Sequence, residues 1–435
     1  TSLPSWLCGF DSRYPLQPQI HQRSVLPVKA PLWRQVFHRK ESRMLDAATI
    51  IAEAEAKAGI ADGDPGVAEN LERLLQAIAA SFPLSEAGEA RVLAALRMDA
   101  GNRLESQKWL RDYPEIGDEP IEAPVFLMGL PRSGTTYFQY LFDRDHRFRL
   151  IRTWESSMPS PPPGFDPASV ESRRAAWREM QRKRGHFDGF EALHLYDEDG
   201  SDECHAFLQQ SWGAAGLHNL YRVPAYFDWL MDGLDLVQTY RVHKRQLQCL
   251  QWRSERRPWA LKYPNHVIAM DAILQVYPDA RFVMTHRDPA QVVGSISKMS
   301  WNLRSMCAAT TPDLAEVGHD MLHFIQRHID RIMAFDAGPH GSRVVHVDYY
   351  ALVADPVGQM RRIHAGLGIA TPEDVAESVG AWHAANPKNA RGRNEYSLAQ
   401  YGLDESAVRQ QFAPYIERFG IPTEAEGLAR IAAGE

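Results

Sequence analysis

The chain has 435 residues, 44% of them apolar and 24% charged, and a net charge of −7. That is enough material for a large core and, by length, roughly two to three domains. The acid excess argues against global attraction to nucleic acid or to an anionic membrane, so any anion site has to be local. The cysteines at Cys8, Cys204, Cys249 and Cys307 are scattered, with no C-x-x-C pair. This argues against a disulfide scaffold or a zinc site and points to a reducing, cytoplasmic setting. No run approaches ~18 consecutive apolar residues, so no membrane anchor is expected. The opening TSLPSWLCGFDSRYPL has neither the basic stretch nor the apolar run of a secretory leader.

Residues 1 to about 40, rich in Pro, Gln and aromatics, read as an irregular arm. From Leu45 to about Tyr113 apolar residues recur at three- and four-residue spacing, the pattern of helices. The pattern changes at APVFLMG (Ala123 to Gly129), a short apolar run that reads as a buried parallel strand, followed by a helix from about Gly134. FRLIRTW is a candidate second strand, and PSPPPGFDP (Pro159 to Pro167) can only be a loop. Helical patterns follow at Pro167 to about Gly185, Ser201 to about Ala215 and Pro224 to about Arg253. WALKYP, ARFVMTHR and RVVHVDYY read as further strands, with helices between and after them. Alternating strands and helices imply an α/β fold whose parallel sheet is covered on both faces, with ligands at the carboxyl ends of the strands. The chain thus divides into residues 1–120, an arm and helical region, and 121–435, an α/β domain with a helical insertion at about 165–255.

VFLMGLPRSGTTYFQYLF frames a loop with Gly129 and Gly134 at the glycine positions of a phosphate-binding P-loop. The lysine of that pattern is replaced by Thr135, and the strong cation of the loop is Arg132. Backbone N–H groups at a helix N-terminus, with hydroxyls from Ser133, Thr135 and Thr136, suit a single phosphate joined to another anionic group. A triphosphate with Mg²⁺ fits less well, and Asp348 after RVVHV is a weak candidate for a metal-holding aspartate. Downstream, in RFVMTHRDPAQVVGSISKM, Arg287 ends a strand and Ser295 lies two helical turns on, so the two can converge on one further phosphate.

GLPRSGTT together with THRDPAQVVGSISKM resembles the sulfotransferases that use 3′-phosphoadenosine 5′-phosphosulfate (PAPS), in particular a bacterial branch with a long helical N-terminal region. The likeness runs from about Asn102 to Gly420 and includes TWESSMPSPPP, GSDECHAFL, WALKYPNH and VDYYALVADP. It implies a P-loop-type parallel sheet flanked by helices, PAPS as co-substrate leaving as the bisphosphate PAP, and no metal. It implies that Arg132, Ser133, Gly134, Thr135 and Thr136 grip the 5′-phosphosulfate and that Arg287 and Ser295 hold the 3′-phosphate. Arg391 and Arg393, in NARGRNEYSL, are the candidates for a further basic loop on that phosphate. Arg132 and Lys262 would neutralise the leaving oxygen. The base that accepts the acceptor's proton is Glu155, after the candidate second strand, or His205, since a histidine serves in other branches. The partner is a small hydroxyl-bearing molecule, with aromatics at Trp154, Phe207, Trp212, Tyr226, Phe227 and Trp229 hinting at an apolar pocket.

Two other readings stand beside this one: a P-loop kinase or NTPase, disfavoured by Thr135, and a nucleotide-binding protein without catalysis. HDMLH (His319 to His323) carries the histidine spacing of zinc proteases but has Asp320 where their glutamate belongs. The basic run SRRAAWREMQRKR reads as a solvated helix face.

Overall fold

The computed structural model describes residues 46–184, 199–386 and 395–433. Four apolar runs form the strands: β1 (Val125–Gly129), β2 (Ala260–Lys262), β3 (Arg281–His286) and β4 (Val344–Asp348). They pair in the order β2-β1-β3-β4, and every neighbour is parallel. The register sets Gly129 beside Thr285 and His286 beside Asp348, so the carboxyl ends of β1, β3 and β4 lie in line.

The central strands β1 and β3 are buried almost throughout because both faces are covered, whereas β4, at the edge of the sheet, is mostly half-buried and carries His346 and Asp348. Phe126, Met128, Phe282 and Met284 face one core, shared with the N-terminal helices and the helical insertion. Val125, Leu127, Val283 and Val347 alternate onto the other, packed by Phe138, Phe142, Met360 and Ile363. Full burial of each such side chain stabilises the fold by about 1.5–3 kcal/mol.

The N-terminal region is helical, over Ala47–Ala58, Val67–Ser81 and Glu86–Asp112. Asp46 and Ser85 cap the first and third of these helices through backbone N–H groups. A charged cluster ties the region to the rest of the chain. Arg103, fully buried, pairs with Asp62 and Asp64. Gln107 donates to both carboxylates, and Arg245, on the helix Leu236–Gln251, reaches Asp64 at 2.7 Å.

Several sequence expectations need correction. FRLIRTW is not a strand: it makes isolated bridges, Arg149 with Trp259 just ahead of β2 and Arg152 with Ser201, then turns into the short helix Thr153–Ser157. Its two arginines are part of the reason. Arg149 is buried against Glu155 and the Trp259 ring, and Arg152 pairs with Asp143, so ion pairs and scattered backbone bonds to Pro258, Ala260, Gly200 and Asp202 hold the segment without a continuous ladder. The expected helix Ser201–Ala215 shrinks to His205–Gln209, since Cys204 is tied by its N–H to the Lys262 carbonyl and Trp212 takes φ +54°. The helix expected from Pro224 is broken after Asp232 by Gly233, and Asp235 caps a second helix from Leu236.

Candidate active site

The first glycine loop leaves β1 at Gly129 and enters the helix Thr135–Phe142. Side chains could not replace either glycine. A Cβ on Gly129 would lie 2.5 Å from the Thr285 carbonyl, and one on Gly134, at φ +88°, would lie 2.4 Å from the Tyr349 ring. The Ser133 hydroxyl is spent inside the loop, 2.8 Å from that of Thr285 on β3. Arg132 itself adopts φ +72°. A left-handed backbone costs a residue with a Cβ about 1–2 kcal/mol, so the loop holds this arginine in place against its own preference.

The second motif meets the first. Arg132 donates from Nε to the Ser295 hydroxyl at 3.2 Å, and Arg287 donates from Nη1 to the Arg132 carbonyl at 3.2 Å. Asp288 caps the helix Pro289–Ser305, with Pro289 in its first turn, and this carries Ser295 to the loop. The Arg287 guanidinium lies over the Tyr349 ring, 4.6 Å from its centroid, and forms an ion pair with Glu424 at 2.9 Å. Tyr396 packs its ring against Gly294, with its hydroxyl 3.3 Å from Gln291 Oε1. Burial, then the Arg287 charge, pull the Arg132 pKa down. For Arg287 burial acts the same way, but Tyr349 and Glu424 more than offset it. Among the described residues no carboxylate lies within ion-pair distance of Arg132.

On the opposite side of the loop stands Lys262, at the end of β2 and 1% exposed. Its ammonium donates to the Thr136 hydroxyl at 3.1 Å and forms an ion pair with Glu203. Glu203 also acts electrostatically on Arg132, so the loop is bracketed by Arg287 and Ser295 on one side and by Lys262 and Glu203 on the other. A carboxylate partner is what a buried lysine requires.

Glu155 and His205 have different surroundings. Both oxygens of the buried Glu155 carboxylate are engaged, one by Arg149 at 3.0 Å and one by the Arg152 N–H at 2.9 Å. His205, half-buried, follows Glu203 by two residues, with Nδ1 3.2 Å from the Tyr263 hydroxyl. Burial lowers its pKa, against the raising effects of Glu203 and Gln209. Asp348 caps the helix Tyr349–Ala354, and His319 and His323 are engaged with the Ala315 carbonyl and with Asp228. Of the six aromatics, Trp154, Phe207, Trp212, Tyr226 and Phe227 are core, while Trp229 is half-buried. Arg391 and Arg393 lie outside the described residues. No helix among the described residues is long and apolar enough to cross a membrane.

The profile of the sulfotransferase family matches residues 124–373, more than half of the chain, and includes the loop, Lys262, Arg287 and Ser295. The chain belongs to the sulfotransferase family. Sulfotransferase STF9 from Mycobacterium avium superposes with a TM-score of 0.79 at 29% identity, over 88% of this chain and 99% of that one. STF1 from Mycobacterium tuberculosis H37Rv gives 0.74 at 28% identity, over 85% and 99%. The omega-hydroxy-beta-dihydromenaquinone-9 sulfotransferase Stf3 of Mycobacterium tuberculosis is 24% identical over 71% of this chain and 78% of its own length.

Glu203, Tyr349, Tyr396 and Glu424 escaped the sequence reading of this sulfotransferase. The signal for Glu203 was Lys262: a buried lysine closing a strand needs a countercharge, and the DE pair beside His205 offered one. Tyr349 follows β4 at the ligand edge of the sheet, a position its DYY context marked without saying what the rings do.

Proposed function

We propose that this sulfotransferase moves the sulfuryl group of PAPS to a hydroxyl of a small, apolar acceptor and releases PAP. The observation carrying the reading is the pair of guanidiniums, Arg132 and Arg287, held at one glycine loop with Ser295 between motif and motif. Two like charges brought together in a half-buried setting are costly, and an anion between them removes that cost. The fit extends to the backbone, since Gly129 and Gly134, where a Cβ would strike Thr285 and Tyr349, let the loop turn tightly enough to present its N–H groups to an anion.

PAPS supplies a sulfuryl group on a phosphate leaving group, with charge spread over equatorial oxygens as in phosphoryl transfer. The N–H groups of residues 132–136 and the Thr136 hydroxyl are assigned to its 5′ end. Arg287 and Ser295 are assigned to the 3′-phosphate, and the family pattern adds Arg391 and Arg393. Lys262 neutralises the bridging oxygen as the S–O bond breaks and the new S–O bond to the acceptor forms, helped by Arg132. His205 takes the acceptor's proton. It is favoured over Glu155, whose carboxylate is committed to Arg149 and to the cap of its own helix. Stf3, by its name, acts on a hydroxylated menaquinone, which supports an apolar molecule bearing a hydroxyl as acceptor.

The test is binding and transfer with the full chain. Calorimetric titration should give tighter binding of PAP than of ATP–Mg²⁺, and sulfur-labelled PAPS should label a hydroxylated lipid or phenol. Preference for ATP, or labelling that survives Lys262→Ala and Arg132→Ala together at the unchanged rate, would end the reading.

A further inference from the structure

His205 is held through a chain of buried polar groups that the reaction as described does not use. Its Nδ1 faces the Tyr263 hydroxyl at 3.2 Å. That hydroxyl also receives the Gly216 N–H at 3.0 Å and lies 2.8 Å from Asn265 Nδ2. Oδ1 of the same amide lies 3.0 Å from His328 Nε2. His328, fully buried in the helix Leu314–Asp336, places its Nδ1 2.7 Å from the Phe324 carbonyl.

The direction of every proton in this chain follows from its last member. A backbone carbonyl only accepts, so His328 Nδ1 carries a hydrogen. Its ring is wedged between Phe227 and Phe324, and burial pushes its pKa down to about 4. The ring is therefore neutral, and Nε2 is a bare acceptor. An amide oxygen facing it would set two acceptors together. The two ends of an amide are alike in size and are told apart by their partners; this partner demands the NH₂ group, so Nδ2 and Oδ1 of Asn265 exchange places. The amide oxygen then faces Tyr263 and accepts its hydroxyl proton. With that proton spent, the Tyr263 oxygen can only accept, from Gly216 and from His205. His205 must carry its hydrogen on Nδ1, which leaves Nε2 bare.

The geometry points to His328, Asn265 and Tyr263 as positioning residues that lock the tautomer of His205 so that Nε2 is free to take the acceptor's proton. The inference rests on the reading of His205 as the base. The other groups facing His205 raise its affinity for a proton. They are Glu203, in the preceding turn, and Gln209, whose amide nitrogen donates to Asp99 at 2.7 Å.

Two measurements separate the tautomer from the base assignment. In the full chain labelled with ¹⁵N-histidine, the His205 ring signals, identified by their loss in His205→Asn, should show Nδ1 protonated and Nε2 bare. The reverse pattern overturns the relay whatever the activity. Tyr263→Phe keeps the ring and removes the link; it should lower kcat about tenfold, a fraction of the full general-base effect, with PAP affinity unchanged. In a His205→Ala background the same substitution should do nothing further. Equal losses in the two backgrounds overturn the relay. Full turnover by His205→Ala would instead overturn the base assignment, while the tautomer stands or falls on its own spectrum.

Discussion

Replacing Arg132 with glycine separates what the loop needs for stability from what it needs for binding. At φ +72° the arginine backbone is left-handed, a cost of about 1–2 kcal/mol that glycine does not bear. Glycine returns about 0.5–1 kcal/mol of that through its freer unfolded chain. The substitution also removes a half-buried charge that repels Arg287 and deletes a single hydrogen bond, to Ser295. The ligand-free protein should therefore be as stable as the parent, or more so by up to about 1 kcal/mol. Binding should go the other way. A lost charge-assisted hydrogen bond of about 1.5–3 kcal/mol weakens PAP affinity by about 10- to 150-fold. Loss of a donor to the leaving oxygen should cut kcat by a further ~10²- to 10³-fold. Thermal unfolding without ligand, calorimetry with PAP and single-turnover transfer read the three quantities. The reasoning fails if ligand-free stability drops by more than about 2 kcal/mol, or if PAP affinity stays within about threefold of the parent.

Ser295→Ala should weaken PAP by about 3- to 10-fold and leave the affinity for the analogue lacking the 3′-phosphate unchanged, as competition binding would read. Lys262→Met should lower kcat by ~10²-fold or more with a smaller change in donor affinity, measured by initial rates at saturating donor. Glu203→Gln removes a carboxylate that raises the His205 pKa, so the acid limb of the kcat profile should move to lower pH. Stability should also fall with acid. His243 and His328 are buried and neutral, with pKa values pushed down to about 3 and about 4. Below about pH 6.5 the unfolded chain binds protons that the folded one refuses, so stability is lost as pH falls, by about 2 kcal/mol per histidine at about pH 5. Denaturant melts of the parent and of His243→Gln at neutral and acid pH would measure it, with the smaller loss in the variant.

The strands were legible because buried parallel strands are written as short, mainly apolar runs, with the half-buried β4 marked by its valines, and the glycine loop because its glycines have a steric reason. Arg287 and Ser295 were legible as residues that reach the loop, where each touches Arg132, because strand end and helix turn fix where they stand. FRLIRTW was misread because apolar content alone does not distinguish a strand from an extended segment held by isolated backbone bonds and the ion pairs of Arg149 and Arg152. The break at Gly233 was visible as a residue but not as a break, because the apolar spacing continues on both sides of it. Glu424 stands beyond the reach of local pattern: 137 residues separate it from Arg287, and only the folded chain brings them together.

The cluster of Asp62, Asp64, Arg103 and Arg245 has a bearing on shortened forms of the enzyme. Cutting away everything before Tyr113 would remove three members together with the segment that covers Arg245, so that its guanidinium would meet water. The damage would fall instead on the apolar core that the discarded helices share with Phe126, Met128 and Leu247, which would lose its cover. A trimmed catalytic fragment would thus need that uncovered apolar face redesigned along with the deletion.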